Sequence, residues 1–480
     1  MTDRYEIVIG LEIHIKLNSE NKMFCQCKNE QEFGSLQANT NICPVCTAQP
    51  GALPVLNKQP LEKAIMLGHE LNCKINELSG FERKSYFYPD LPVGFQITQL
   101  EMPTNGLGYL DFFINDFQDE RKIRIDRAHL ENDAGKTIHE NGKGIIDFNR
   151  AGTPLVEIVT FPDFRSDIEV VEFLKELQRR VKFNKISGGE LDKGQMRCDV
   201  NISLRLHGQD QYGTKVEIKN MNSFGAIQRA IHHEYNRQQN LLDAGKSIDQ
   251  ETRGWDDVKK TSYTMRSKED SLDYRYFPEP DLPVLQLDMS WVDSLKSTLV
   301  ESSYSRIKRY KEQYGFNKEY INSLIQSTDV NLFFEDTVSA GIDSKLAANW
   351  MLGYLLRCLN DSDSCLGDLK VSKQQFIDFC KLIQDGKLAD AQAKQVIVEM
   401  LDTGKNAEII IEEKGFKPVD SGELDSIVKS VIASNPGPVN DVKEGKMQAI
   451  GFLVGAVMKE SKGKANPKQA KELVEKYILN

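Results

Sequence analysis

The sequence predicts an α+β fold: a mainly antiparallel sheet in the first part of the chain, then an all-helical domain and a small helical tail domain. Three observations lead there. Tyr5, Ile7, Ile9, Leu11, Ile13, Ile15 and Leu17 alternate without interruption, which marks a strand with one buried face. The same period of two returns at Arg197–Arg205 and at Lys215–Lys219, as antiparallel strands with one polar face show it. After about Ser290 strand patterns vanish. Helical segments with short turns run to about Leu401, and a last helical module follows Thr403-Gly-Lys-Asn406, interrupted by Asn435-Pro-Gly-Pro438. A chain of 480 residues exceeds one ordinary core, and these breaks divide it at 1–292, 293–405 and 406–480.

The first strand carries Glu6, Val8, Gly10, Glu12, His14 and Lys16 on its second face. Same-face neighbours lie about 7 Å apart, so Glu12 and His14 are spaced to share a metal ion or a phosphate. Gly10 leaves room there for a ligand to approach the backbone. A plain solvated face is the simpler reading of this strand taken alone.

Cys25-Gln-Cys27 and Cys43-Pro-Val-Cys46 follow. Two close pairs across a polar loop suit a structural zinc ion with four cysteine ligands, which leave no open position for catalysis; the alternative is four free thiols. Cys73, Cys198, Cys358, Cys365 and Cys380 are scattered and read as buried or idle thiols. A helix is expected over about Pro60–Asn72. In Phe81–Asp90, Arg83 and Lys84 beside three aromatics suggest an anion or nucleotide contact on a loop, or a surface loop with aromatic anchors.

Strands are expected over Lys122–Glu131 and Leu155–Thr160. Glu157 is a single charge in an apolar run, so it is either paired in the core or placed for function. With His129, Glu131 and Asp133 it extends the oxygen-rich set of the first strand, which suits Mg²⁺ better than zinc. Ser166-Asp-Ile-Glu169 reads as a capping box opening a packing helix with Ile168, Val171, Leu174, Leu177 and Val181 at helical spacing. The polar parities Arg197, Asp199, Asn201 and Lys215, Glu217, Lys219 could be solvent faces. They also offer what a nucleoside triphosphate with Mg²⁺ requires: cations for phosphate, Asp and Asn for metal and ribose. Ala134-Gly-Lys-Thr137 lacks the first glycine of a Walker A loop, and no Rossmann fingerprint occurs. A helix runs from about Phe224 to Ala244, and Tyr274–Pro283 closes the first domain. The net charge of −10 argues against a wholly basic nucleic-acid binder. From Lys443 to Lys476, however, eight Lys stand against four Glu, which makes that stretch the best candidate for a phosphate-backbone contact. No run spans a bilayer and no secretory pattern opens the chain, so a cytoplasmic protein without membrane contact is expected.

Several runs together resemble the B subunit of the tRNA-dependent glutamyl/aspartyl-tRNA amidotransferases, the GatB/GatE family. They are Val8–His14, Arg83–Asp90, His129–Lys136, Asn149–Val159, Arg197–Ser203, Glu217–Ser223, Asp273–Asp281 and Gly451–Gly455, and they span the whole chain. The resemblance implies an antiparallel "cradle", then a helical domain, then a tail domain that contacts tRNA. It implies an ATP-dependent kinase acting on Glu or Asp esterified to mischarged tRNA(Gln) or tRNA(Asn). Ammonia from an amidase-type A subunit then displaces the phosphate, and a small C subunit completes a heterotrimer. It places Glu12, His14, Glu131 and Glu157 around the metal. Arg83, Lys84, Arg197, Asp199, Asn201 and Lys219 are expected around ATP and the acyl phosphate. The four cysteines occur in only part of the family, so zinc rests on spacing here. Asn132 stands where many members carry a second acid. No Gly-Gly-Ser-Ser amidase signature occurs, so the chain is expected to make no ammonia by itself. Two other readings predict different outcomes: an ATP-grasp-like ligase would turn over ATP with a free amino acid, and a tRNA-binding scaffold would tolerate Glu12→Ala.

Overall fold

The computed structural model describes residues 4–30, 34–267, 273–358, 366–416, 421–461, 465 and 467–479. Cys365 and residues 462–464 of the basic tail stretch lie outside them. Two compact units are present, Met1–Arg309 and Tyr310–Asn480.

The first unit is organised by an eight-stranded sheet whose strands we label in chain order: β1 Tyr5–Lys16, β2 Gly108–Ile114, β3 Asp119–Asn132, β4 Pro154–Thr160, β5 Met196–Leu206, β6 Val216–Lys219, β7 Glu251–Asp256 and β8 Thr261–Ser267. Their spatial order is β8-β7-β6-β5-β1-β4-β3-β2. All neighbours are antiparallel except β6 and β7. The alternating first strand is therefore a central one. Its apolar parity is buried throughout, with Ile9, Ile13, Ile15 and Leu17 each 0 % exposed.

Three helices cover that face: α1 Lys58–Glu70, α2 Asp167–Phe183 and α3 Phe224–Asp243. Ile65 and Leu67 of α1, Phe173 and Leu177 of α2, and Ile227 and Ile231 of α3 join the strand residues in one apolar core. Fully burying each such side chain contributes about 1.5–3 kcal/mol. The Ser166 hydroxyl caps α2 by accepting from the Glu169 amide. Glu169 reaches the Arg165 amide instead of closing the box on Ser166. Ile168 points outward, and Val170 and Phe173 take the core positions. Gly245, at φ +69°, follows α3 at its end, where a left-handed residue stops a helix. Helices on one face leave the other face of the sheet to polar side chains, and the site is built there.

Glu82–Ser85, expected as a loop, is a strand. It pairs with Phe95–Thr98 on one side and Phe277–Pro278 on the other. The proline-rich segment near residue 280 is thus bonded into the first unit.

The second unit is helical among its described residues. Leu424, Val428, Leu453, Val457 and Val474 form an apolar cluster between helices Ser421–Ser434, Ala449–Glu460 and Pro467–Leu479. Asn435-Pro-Gly-Pro438, read as an interruption, starts the helix Pro436–Lys443 with proline in its first turn, where the missing N–H costs nothing. No helix among the described residues is long and apolar enough to cross a membrane.

Candidate active site

Sheet register builds the site. Arg197 on β5 pairs with His14 on β1, His14 with Glu157 on β4, and Glu157 with His129 on β3. Directly paired residues project to the same face, so this row sets two imidazoles, a carboxylate and a guanidinium side by side. Glu131 lies two residues beyond His129 and joins them. His14 Nε2 is 3.2 Å from Glu131 Oε1 and 3.6 Å from Glu157 Oε2, and His129 Nε2 is 3.5 Å from Glu157 Oε2. One donor atom from each of His14, Glu131 and Glu157 lies within 4.8 Å of the others. Two carboxylates with one imidazole suit a small divalent cation. Asn132, on the opposite parity, turns away: its Oδ1 accepts from the Ile97 amide. Glu131 is therefore the acid of that pair on the site face.

The electrostatics follow from crowding. Burial acts to lower the His14 pKa, but hydrogen bonds and charge from Glu131 and Glu157 outweigh it and raise it well above the usual range. Burial acts to raise Glu157, yet His129 and His14 hold it well below the usual carboxylate range.

Around the cluster lies a polar cavity of about 430 Å³, lined among others by His14, Lys84, Glu131, Asp133, Arg197, Asp199 and Lys219. Lys84 Nζ sits 4.9 Å from the Tyr274 ring centroid. Burial opposes its charge, but Glu131 and Glu157 raise its pKa overall. Asp133, buried, holds Arg197 Nη2 at 2.8 Å and Arg150 Nε at 3.5 Å. Lys219 bridges Asp199 at 2.5 Å and Glu217 at 3.0 Å. A neighbouring cavity of about 260 Å³ on the same face is lined by Gly10, Glu12, Thr160, Asn201 and Tyr212, among others. There the Asn201 amide donates to Glu12 Oε1 at 3.0 Å, and Pro162 is the nearest neighbour a side chain at Gly10 would meet.

Most of the expected residues thus meet around one cavity, with three exceptions. Glu12 and Asn201 pair with each other in the neighbouring cavity, and Glu12 is not among the clustered donor atoms. Arg83 leaves the cavity altogether: its guanidinium forks onto Glu279 at 2.8 and 2.7 Å, approaches Asp281 at 3.2 Å, and stacks 4.1 Å from the Phe95 ring centroid. The structure adds Asp133 as the anchor of Arg197, and His129 as the second imidazole on Glu157. Both were candidate ligands by type, but only register reveals their partners.

Cys25, Cys27, Cys43 and Cys46 converge with all four sulfurs within 4.8 Å of one another. A hydrogen bond from Cys25 lowers the Cys46 pKa to about 5, while burial and the Cys46 charge push Cys27 up to about 12. One thiolate forms readily and opposes the others, a conflict that a bound dication removes. The donor set fits a tetrahedral metal centre.

Comparison with known proteins agrees along the chain. The GatB/GatE catalytic domain model matches residues 7–293, and the GatB domain model matches residues 332–478. The chain is 45% identical over 476 residues to the B subunit of the aspartyl/glutamyl-tRNA(Asn/Gln) amidotransferase of Elusimicrobium minutum, covering 99% of each chain. It is 43% identical over 476 residues to that of Persephonella marina, again with 99% of each covered. The corresponding protein of Carboxydothermus hydrogenoformans is 41% identical over 476 residues, with 98% of each covered. Matched by both domain models and by relatives at full length, the chain belongs to the GatB/GatE family of amidotransferase subunits.

Proposed function

We propose that this chain is the transamidating B subunit that converts Glu-tRNA(Gln), Asp-tRNA(Asn) or both to the amidated forms. The side-chain carboxylate of the tRNA-bound amino acid attacks the γ-phosphoryl group of ATP, giving an acyl phosphate and ADP. Ammonia from a partner glutaminase subunit then attacks the acyl carbon, forming the amide and releasing phosphate. The observation that carries this reading is the convergence of His14, Glu131, Lys84, Arg197 and Lys219 on one cavity of the sheet face, with Glu157 clustered against His14 and Glu131.

The residues fit that chemistry. Carboxylate activation brings two anions together, so fixed charges must offset their repulsion. Lys84, Arg197 and Lys219 supply cations, and Asp133, Asp199 and Glu217 hold two of them in place. His14, Glu131 and Glu157, with Glu12 from the adjoining cavity, are the residues that would hold Mg²⁺, which supplies charge neutralisation on phosphate oxygens when bound. Glu12 and Asn201, lining the second cavity, would orient the nucleotide. Arg83 serves by fastening the strand that carries Lys84. The four cysteines would hold a structural Zn²⁺. The same proposal includes a heterotrimer with an A and a C subunit, a cytoplasmic location, and three domains at 1–292, 293–405 and 406–480. The last of these domains is the proposed tRNA contact.

The test uses the chain co-purified with its amidase and small partners, with ammonium replacing glutamine. Conversion of Glu-tRNA(Gln) or Asp-tRNA(Asn) with ATP and Mg²⁺ is compared between wild type and His14→Ala. Conversion by wild type, reduced at least 100-fold in the variant while tRNA still binds, is the expected result. Equal conversion by both would make this face structural.

A further inference from the structure

Lys22 is a charged side chain only 1 % exposed, three residues before Cys25. Its Nζ donates to Asn41 O at 3.0 Å, to Phe148 O at 3.5 Å and to Cys46 Sγ at 3.8 Å. All three neighbours are acceptors. An ammonium has three N–H donors and no lone pair, so it matches them; a neutral amine would set its lone pair against one of them. A buried charge is stabilised by an anion, and among the described residues the hydrogen-bond partners of Lys22 include no carboxylate. Among the described partners, the group that can become an anion is the sulfur cluster, through Cys46. Four neutral thiols would not supply it, whereas four thiolates around a dication carry a net charge of −2.

We propose that Lys22 is the positioning cation of the four-cysteine metal centre, stabilising its anionic thiolate shell through Cys46. This rests on the zinc reading above. The backbone next to Lys22 ties the centre to the active-site face. The Met23 amide donates to Gly152 O at 2.8 Å, and the Gly152 amide donates to Asp133 O at 2.9 Å, next to the carboxylate that anchors Arg197. The metal loop and the cavity wall are thus joined by two consecutive backbone bonds.

The experiment uses the full chain with its partners. Zinc per chain is measured by atomic emission, and zinc loss to an excess of a chromogenic chelator is followed for wild type, Lys22→Met and Lys22→Gln. About one zinc per wild-type chain is expected. Both variants should lose zinc faster and bind it on the order of 10- to 100-fold more weakly, the range for removal of an outer-shell partner. In cobalt-substituted protein, the sulfur-to-metal charge-transfer band should shift to longer wavelength in the variants, because a thiolate without its cation is easier to oxidise. A wild-type chain that neither contains nor takes up zinc would overturn the zinc reading and this proposal together. Zinc-loaded wild type with unchanged release and unchanged cobalt band in folded variants would overturn this proposal alone. Failure of both variants to fold in excess zinc would also overturn it, since added metal offsets a weakened affinity by mass action.

Discussion

The sequence reads Arg83 on a loop beside aromatics and Arg197 on the polar face of a strand, both as anion-binding side chains, yet the fold gives them different work. Arg83 is spent on Glu279, whose side chain is 1 % exposed, 196 residues away. Arg197 is held by Asp133 and faces the cavity. Arg83→Met should therefore destabilise the chain by about 3 kcal/mol, the cost of stranding a buried partner, and change the KM for ATP less than Arg197→Met does. Arg197→Met should raise that KM or lower kcat at least tenfold with a smaller change in melting temperature. Thermal unfolding and initial rates on the two variants separate the roles. Residue type identified both as anion-binding side chains, but partner choice depends on which strands lie adjacent.

At the scale of elements, the alternation of β1 was fully legible, because a period of two forces every second side chain into the core. Ile13→Ala, at the centre of that face, should cost about 2–5 kcal/mol, read as a lowered urea midpoint. The cap of α2 was equally legible: Ser166→Ala should cost about 1 kcal/mol without affecting activity. The Glu82–Ser85 strand was not legible. It is short, its side chains are all polar, and one of its partners, Phe277–Pro278, comes from the far end of the domain. No local pattern records such a pairing.

For the whole molecule, the packing of α1 against α2 stores a pH dependence. Glu70, at the end of α1, is buried near Arg180 and Glu176. Burial raises its pKa to about 7, with Arg180 opposing and Glu176 adding to the rise. The folded state then holds a proton that the unfolded chain releases near 4.5. Stability from this group is fully present below about pH 4.5 and falls as pH rises to about 7. The loss is on the order of 3 kcal/mol, at about 1.4 kcal/mol for each tenfold difference in proton affinity between the two states. Glu70→Gln keeps an acceptor for the Asn184 amide and removes the titration. It should be more stable than wild type at about pH 8, with the difference shrinking toward about pH 5. Urea unfolding at the two pH values checks the sign.

What the sequence by itself determined is the α+β division, the half-buried first strand, the four-cysteine cluster and the chemical types gathered at the site. Each of these is encoded by local periodicity or by spacing within a few residues. Only the tertiary structure decided which of those residues act together. His14, Glu157 and His129 meet because β1, β4 and β3 are neighbours in one register. Glu131 rather than Asn132 faces them because strand parity allows only one. Lys22 meets Cys46, and Arg83 meets Glu279, through chain crossings that no local pattern announces. Side-chain type is local, but an electrostatic partner is set by distance in space, and the sheet is what converts one into the other.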